Sequence, residues 1–249
     1  VTILRSALFN AAFFLWTIAL ALVTWPALFL PRGATVAVYR FWSSGVAVLA
    51  AAIVGIRSRW VGLERAPPGP VIYAAKHQSA WDTITMPGAL DEPAVVLKRE
   101  LLRIPIYGGF LGRWGAIPVD RKAGAKALRG MVADARALAE AGRSILIYPQ
   151  GTRVPPTADG EPAPYQPGVA ALYAQLGLPV VPIALDSGLC WGRRSFFKRP
   201  GTITVELLPA IPPGLDRRTF LRRLEGDIES ATDRLVAGAV EKRPPQSRG

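Results

Sequence analysis

Residues Ala7–Leu30, "ALFNAAFFLWTIALALVTWPALFL", hold no charged side chain over 24 positions, and this run constrains the chain more than any other. About 20 apolar residues in a helix cross the hydrocarbon core of a bilayer. The run is too long for the core of a signal peptide and lacks a clear small-residue cleavage site, so the expectation is a retained anchor. A second apolar stretch follows at Phe41–Ile56, "FWSSGVAVLAAAIVGI". Arg5 precedes the first stretch, Arg32 and Arg40 separate the two, and Arg57 and Arg59 follow the second. Every end is positive, so the positive-inside rule selects no orientation. Two arrangements stay open. The reading leans toward a helical hairpin dipping into the cytoplasmic leaflet, with Trp16, Trp25, Trp42 and Trp60 near the interface. The other is a pair of spanning helices joined by a turn at 31–40.

After a Pro/Gly linker, "ERAPPGP" (Glu64–Pro70), the pattern changes. Short β-rich runs, "VIYAAK", "PAVVLK", "GAIPVDR", "SILIYP", "PVVPIAL" and "TITVELL", alternate with helical patterns at Ala123–Ala141 and Gly168–Leu176. Such alternation predicts an α/β sheet covered by helices. Leu215–Val240 carries an apolar stripe through Phe220, Leu221, Leu224, Ile228 and Leu235 and reads as an amphipathic terminal helix. The expected organisation is a membrane-associated two-helix hairpin over 1–60, an α/β domain over 61–240, and a basic disordered tail over 241–249.

Half of the 249 residues are hydrophobic, yet the formal charge is +12. Together with a mean hydropathy of +0.24, this points to an anionic membrane surface. The basic residues are scattered, and no zinc-finger spacing, helix-turn-helix or RNA-binding aromatic signature accompanies them, so nucleic acid is not expected as a partner. One cysteine, Cys190, precludes an intramolecular disulfide and fits a reducing compartment; with a single histidine there is no N/S ligand set for zinc, and no metal is expected. The chain has no G-x-S-x-G elbow, no G-x-x-x-x-G-K-[ST] loop and no G-x-G-x-x-G fingerprint. Serine hydrolases, P-loop NTPases and Rossmann dehydrogenases therefore lose support.

The single histidine lies in "KHQSAWDT" (Lys76–Thr83), with Asp82 five positions after His77. In a helix, positions five apart are turned by about 140°, and in a strand they lie about 17 Å apart on opposite faces. The two side chains meet only if the chain turns between them, as a strand, a polar turn and a helix start allow. Asp82 then holds one ring nitrogen and leaves the other as a base; the alternative is a hydrogen-bonded structural histidine. A second stretch, "RSILIYPQGTR" (Arg143–Arg153), ends a strand at Pro149 and Gly151. Here exposed backbone N–H groups, the Thr152 hydroxyl and the Arg153 guanidinium make an anion pocket, against an ordinary turn with a solvated arginine. A third, "GAIPVDR", ends in Arg121, which either grips an anion or pairs with Asp120. A fourth, "VPIALDSG" (Val181–Gly188), is a buried strand opening into a polar turn, with core packing expected for Val181–Leu185.

Taken in order, these four stretches resemble the motifs of the glycerolipid acyltransferases, specifically the bacterial 1-acyl-sn-glycerol-3-phosphate (lysophosphatidate) acyltransferases. His77 and Asp82 match His-x4-Asp, Gly115–Arg121 the second motif, Tyr148–Arg153 the Phe-Pro-Glu-Gly-Thr-Arg motif, and Val181–Ser187 the Val-Pro strand. The match runs from about residue 60 to 210, and the N-terminal hairpin also resembles the family. The resemblance implies a central mixed sheet flanked by helices. It implies acyl transfer from acyl-CoA or acyl-acyl carrier protein to the sn-2 hydroxyl of lysophosphatidic acid, yielding phosphatidic acid for phospholipid synthesis, without a cofactor or an acyl-enzyme. It places the enzyme at the inner (cytoplasmic) membrane with its site facing the cytoplasm. His77 is then the base and Asp82 its orienting acid, while Arg121, Gly151, Thr152 and Arg153 hold the phosphate. Gln150 stands where the family usually has glutamate, which removes a negative charge. If that charge serves substrate choice, another lysolipid such as lyso-ornithine lipid becomes the acceptor. A non-catalytic lipid binder is the alternative from a different class.

Overall fold

Alternate side chains of a strand point to opposite faces, and in "IYAA" both sets are apolar, so this strand needs cover on both sides. In the computed structural model, which describes residues 2–120, 123–156 and 163–241, it is β2 (Ile72–Ala75), near the middle of a seven-stranded sheet. The other strands are β1 (Ile56–Val61), β3 (Ala94–Lys98), β4 (Ile117–Val119), β5 (Ile145–Ile147), β6 (Val180–Leu185) and β7 (Gly201–Leu207), in the order β1-β7-β6-β2-β5-β3-β4. All neighbours are parallel except β6 and β7. The sheet is thus mixed and flanked by helices, as expected.

Among the described residues seven α-helices accompany it: α1 (Thr2–Thr24), α2 (Arg32–Leu49), α3 (Ala80–Ala89), α4 (Tyr107–Trp114), α5 (Gly124–Glu140), α6 (Pro167–Leu176) and α7 (Arg217–Glu241). On one face of the sheet Ile72, Ala74 and Ile145 pack under Met131 of α5, Leu172 of α6 and Phe220, Leu224 and Ile228 of α7. On the other, Tyr73, Ala75, Val181 and Ile183 pack under Phe9 of α1, Val46 of α2, and Trp81 and Met86 of α3. The inner side of the N-terminal hairpin therefore belongs to the same core as the sheet.

Three features differ from the sequence reading. The segment 31–40 is not a connecting turn: α2 starts at Arg32, because Arg32 and Arg40 reach Glu92 at 3.1 and 2.9 Å and their charges are neutralised against the domain. The second apolar stretch widens into one π turn at Ala50–Val54 and stops at Gly55, whose φ of 85° only glycine adopts readily. The sheet then begins at Ile56, before residue 61. Arg57 and Arg59, read as membrane flanks, lie on the edge strand β1, parallel to β7. Of the expected tail over 241–249, Glu241 is the last residue of α7 and 242–249 lie outside the described residues.

One consequence of the topology matters for function. Because β2, β3, β4, β5 and β6 are parallel, the segments after them leave the sheet at its carboxyl edge, where open α/β sheets place ligands. All four sequence motifs follow these strands.

Candidate active site

The turn demanded between His77 and Asp82 is a helix N-terminus. Ser79 is the N-cap of α3; its hydroxyl accepts the Trp81 N–H at 3.0 Å, and Asp82, three residues on, reaches back to the Ser79 N–H at 2.9 Å. This is a capping box, which satisfies helix N–H groups that otherwise lack partners. The same oxygen, Oδ2, accepts the Gln78 N–H at 2.8 Å and lies 2.9 Å from Nδ1 of His77. A fully buried carboxylate accepts only, so Nδ1 carries the proton and the Nε2 lone pair is the available base. Oδ1 accepts the Ser187 hydroxyl at 2.6 Å, a contact across 105 residues from the segment after β6. The first motif is thus braced by the fourth, and Gln78 adds a second tie, accepting the Gly188 N–H at 2.9 Å.

Tyr148 forms a wall of the site. Its ring stacks on the imidazole with centroids 4.1 Å apart and planes at 26°. Burial, reinforced by the Asp82 carboxylate, holds its phenol well above the ordinary tyrosine range, so it stays a neutral surface. The positive charge of Arg153 opposes that rise. The Val154 N–H donates to the His77 carbonyl at 2.7 Å and fastens this turn beside the base.

The residues expected to bind an anion divide. Gly151 has φ 65° and donates its N–H to the Tyr148 carbonyl at 2.8 Å, so it shapes the turn and its amide is already engaged. The Thr152 hydroxyl and the Arg153 guanidinium have no hydrogen bond among the described residues. Arg121 lies outside the described residues. Gln150 turns the other way: its amide reaches Glu229 of α7 at 3.4 Å, on the face opposite His77. As expected, Val181–Leu185 is core, fully buried. The site residues that sequence reasoning missed are Tyr148 and Ser187. The S-x-x-D capping signature in "SAWD" was available in the sequence as a cue to the His77–Asp82 geometry.

This arrangement resembles known proteins. The family model for acyltransferases matches residues 57–186. The 1-acyl-sn-glycerol-3-phosphate acyltransferase of Pseudomonas aeruginosa is 36% identical over 177 residues, 70% of this chain and 68% of that protein. The protein of the same name from Limnanthes alba is 32% identical over 142 residues, and the alignment spans 56% of this chain and 50% of that one. The crystal structure of the 1-acyl-sn-glycerophosphate acyltransferase from Thermotoga maritima superposes with a TM-score of 0.75 over 99% of this chain and 100% of that one, at 17% identity, a likeness of fold.

Proposed function

The chain belongs to the acyltransferase family, and we propose that it transfers a fatty acyl group to the sn-2 hydroxyl of 1-acyl-sn-glycerol-3-phosphate, making phosphatidic acid. The observation that carries the reading is the His77–Asp82 pair, with Nε2 free of hydrogen bonds among the described residues and the turn that holds Thr152 and Arg153 fastened to the His77 carbonyl. Nε2 takes the hydroxyl proton as the oxygen attacks the thioester carbonyl of acyl-CoA or acyl-acyl carrier protein. The tetrahedral intermediate collapses, the C–S bond breaks, and the imidazolium returns its proton to the departing thiolate. Asp82 offsets the charge that His77 carries in between. Arg153 pairs with the acceptor phosphate as a planar, permanently charged donor. With Gln150 directed away from His77, no observation remains that favours lyso-ornithine lipid over lysophosphatidate. The braced base likewise gives no reason to prefer a passive lipid binder.

The test is a panel of lysolipids offered with labelled acyl-CoA to the wild-type protein and to Arg153→Ala. Wild type is expected to acylate lysophosphatidate, and the variant to raise its KM about 10- to 100-fold with a smaller change in the donor KM, since a charge-assisted phosphate pair is worth about 1.5–3 kcal/mol. A change confined to donor kinetics would assign the phosphate elsewhere, and turnover of a different lysolipid alone would overturn the acceptor.

For the membrane, the reading is a hairpin embedded in one leaflet. Both helices are long and apolar enough to cross a bilayer. Yet the first half of α1 and the turn after it are both fastened to the α/β domain: Asn10 donates to the Phe196 carbonyl at 3.1 Å, the Lys198 N–H donates to Ser6 at 2.9 Å, and Arg113 donates to the Leu28 carbonyl at 2.7 Å. The start of α2 is held as well, through Arg32 and the Trp114 carbonyl at 3.2 Å. A spanning helix cannot keep both ends on one side. The outer side of α1, with Leu4, Leu8, Leu15 and Leu22 exposed, faces the acyl chains, and the exposed Phe196 and Phe197 extend that surface beside Arg193 and Arg194. Basic residues at this surface concentrate an anionic acceptor at the site. This supports an inner-membrane enzyme whose site opens toward the cytoplasm. In proteoliposomes of the Cys190→Ser protein with a Gly33→Cys probe, an impermeant maleimide is expected to label from the side that holds the α/β domain. Labelling only from the opposite side would establish a spanning hairpin.

A further inference from the structure

Lys76 and Gln150 adjoin the catalytic turns, and their side chains point away from His77 to the face covered by α7. Lys76 is only 4% exposed, and its ammonium is clasped by Oε2 of Glu229, in α7. The other oxygen of that carboxylate, Oε1, accepts the Tyr165 hydroxyl at 2.9 Å and the Gln150 amide at 3.4 Å. One carboxylate thus joins the segment bearing the base to the segment leading into Thr152 and Arg153. The amide oxygen of Gln150 is buried and has no partner among the described residues. Its amide nitrogen has to face Glu229, because the oxygen there would oppose a carboxylate.

We propose that Glu229 is a positioning residue for acyl transfer: it is the half-buried counter-ion of the buried Lys76 that locks Lys76 and Gln150 together and so fixes His77 relative to Thr152 and Arg153. The proposal rests on the acyl-transfer reading above. An exposed ion pair contributes little, but removing one partner of a buried pair leaves an uncompensated charge, here on the residue next to the base. It also explains why position 150 is neutral. The cluster has one cation and already holds one carboxylate, so a glutamate at 150 would set a second carboxylate against Glu229.

Three variants decide the matter: Glu229→Gln, Gln150→Glu, and both together, which moves the carboxylate to the other side of the same hydrogen bond. Each single change is expected to lower kcat about 30- to 100-fold with less than about a threefold change in acceptor KM, as a small displacement of a catalytic group does. The double variant is expected to recover to within about fivefold of wild type, because the cluster again holds one carboxylate and one amide across the 150–229 hydrogen bond. A role confined to stability predicts no such reversal of sign. Amine modification of the folded proteins with acetic anhydride, read by mass spectrometry at Lys76, is expected to be low in wild type and the double variant and high in Glu229→Gln. A double variant as impaired as the worse single, or singles within about threefold of wild type, overturns the proposal. If a single variant does not fold, the double variant decides: folded and active supports the exchange, unfolded or inactive rejects it. Rates are taken on whichever lysolipid wild type acylates, so a wrong acceptor does not confound the comparison. If wild type acylates none, the proposed function fails while Lys76 labelling still reports on the cluster.

Discussion

His77→Ala is expected to lower kcat for acyl transfer about 1000-fold or more, with the protein still folded and still bound to vesicles. General-base catalysis contributes about 10²–10⁴-fold, and no other histidine exists in the chain to substitute. The attacking group is a lipid hydroxyl, a poor nucleophile until its proton is taken, and among the described residues Nε2 is the one base held beside the Thr152–Arg153 turn. Folding survives because the scaffold does not depend on the ring. The His77 carbonyl still accepts the Val154 N–H, and Asp82 still caps α3 through Gln78 and Ser79. What is lost is the stack on Tyr148 and the Nδ1–H bond to Asp82, whose Oδ2 keeps the Gln78 and Ser79 N–H groups, for about 2–4 kcal/mol together. The measurements are turnover with labelled acyl-CoA, circular dichroism through the unfolding transition, and co-sedimentation with anionic vesicles. Turnover within about tenfold of wild type in a folded protein would remove His77 from the mechanism.

Much of the fold follows from local pattern, and the failures share one cause. The helices α5, α6 and α7 fall within two residues of their predicted bounds, because each carries its own apolar stripe and each packs it on the sheet. The strand β1 was hidden because Arg57 and Arg59 stand beside an apolar run, and a charge next to such a run reads as a membrane flank. Their actual meaning depends on β7, some 145 residues away, which pairs Arg59 with Thr204. The start of α2 was hidden the same way, since Arg32 and Arg40 are neutralised by Glu92. The site divides on the same line. His77 and Asp82 are five apart, and the cap that joins them is written between them. Ser187 reaches Asp82 over 105 residues and Glu229 reaches Lys76 over 153, so only the parallel strands and α7 bring these pairs together. Gln150 shows the limit of reading by resemblance. The missing charge was legible, but not that its side chain leaves the catalytic face and meets a carboxylate there.

Asp82→Asn separates the two roles of the carboxylate, and the outcome follows from how its hydrogen bonds divide. Three donors converge on Oδ2, the His77 ring and the Gln78 and Ser79 N–H groups, while Oδ1 accepts only the Ser187 hydroxyl. An asparagine keeps its oxygen at the first position and turns its NH2 toward Ser187, whose hydroxyl rotates to accept. The cap, the His77 tautomer and the ring orientation are then preserved, and what disappears is the negative charge facing the imidazolium formed during proton transfer. The expected result is a loss of about 100- to 1000-fold in kcat, the size of one electrostatic contribution in a water-poor site, with little change in acceptor KM or melting temperature. Asp82→Ala is expected to lose at least as much activity and also several degrees of melting temperature, because two buried N–H groups lose their acceptor at about 1–3 kcal/mol each. The contrast between the two variants measures charge against architecture. If Asp82→Asn retains kcat within about tenfold, the carboxylate serves the helix cap alone, and His77 works without an anionic partner.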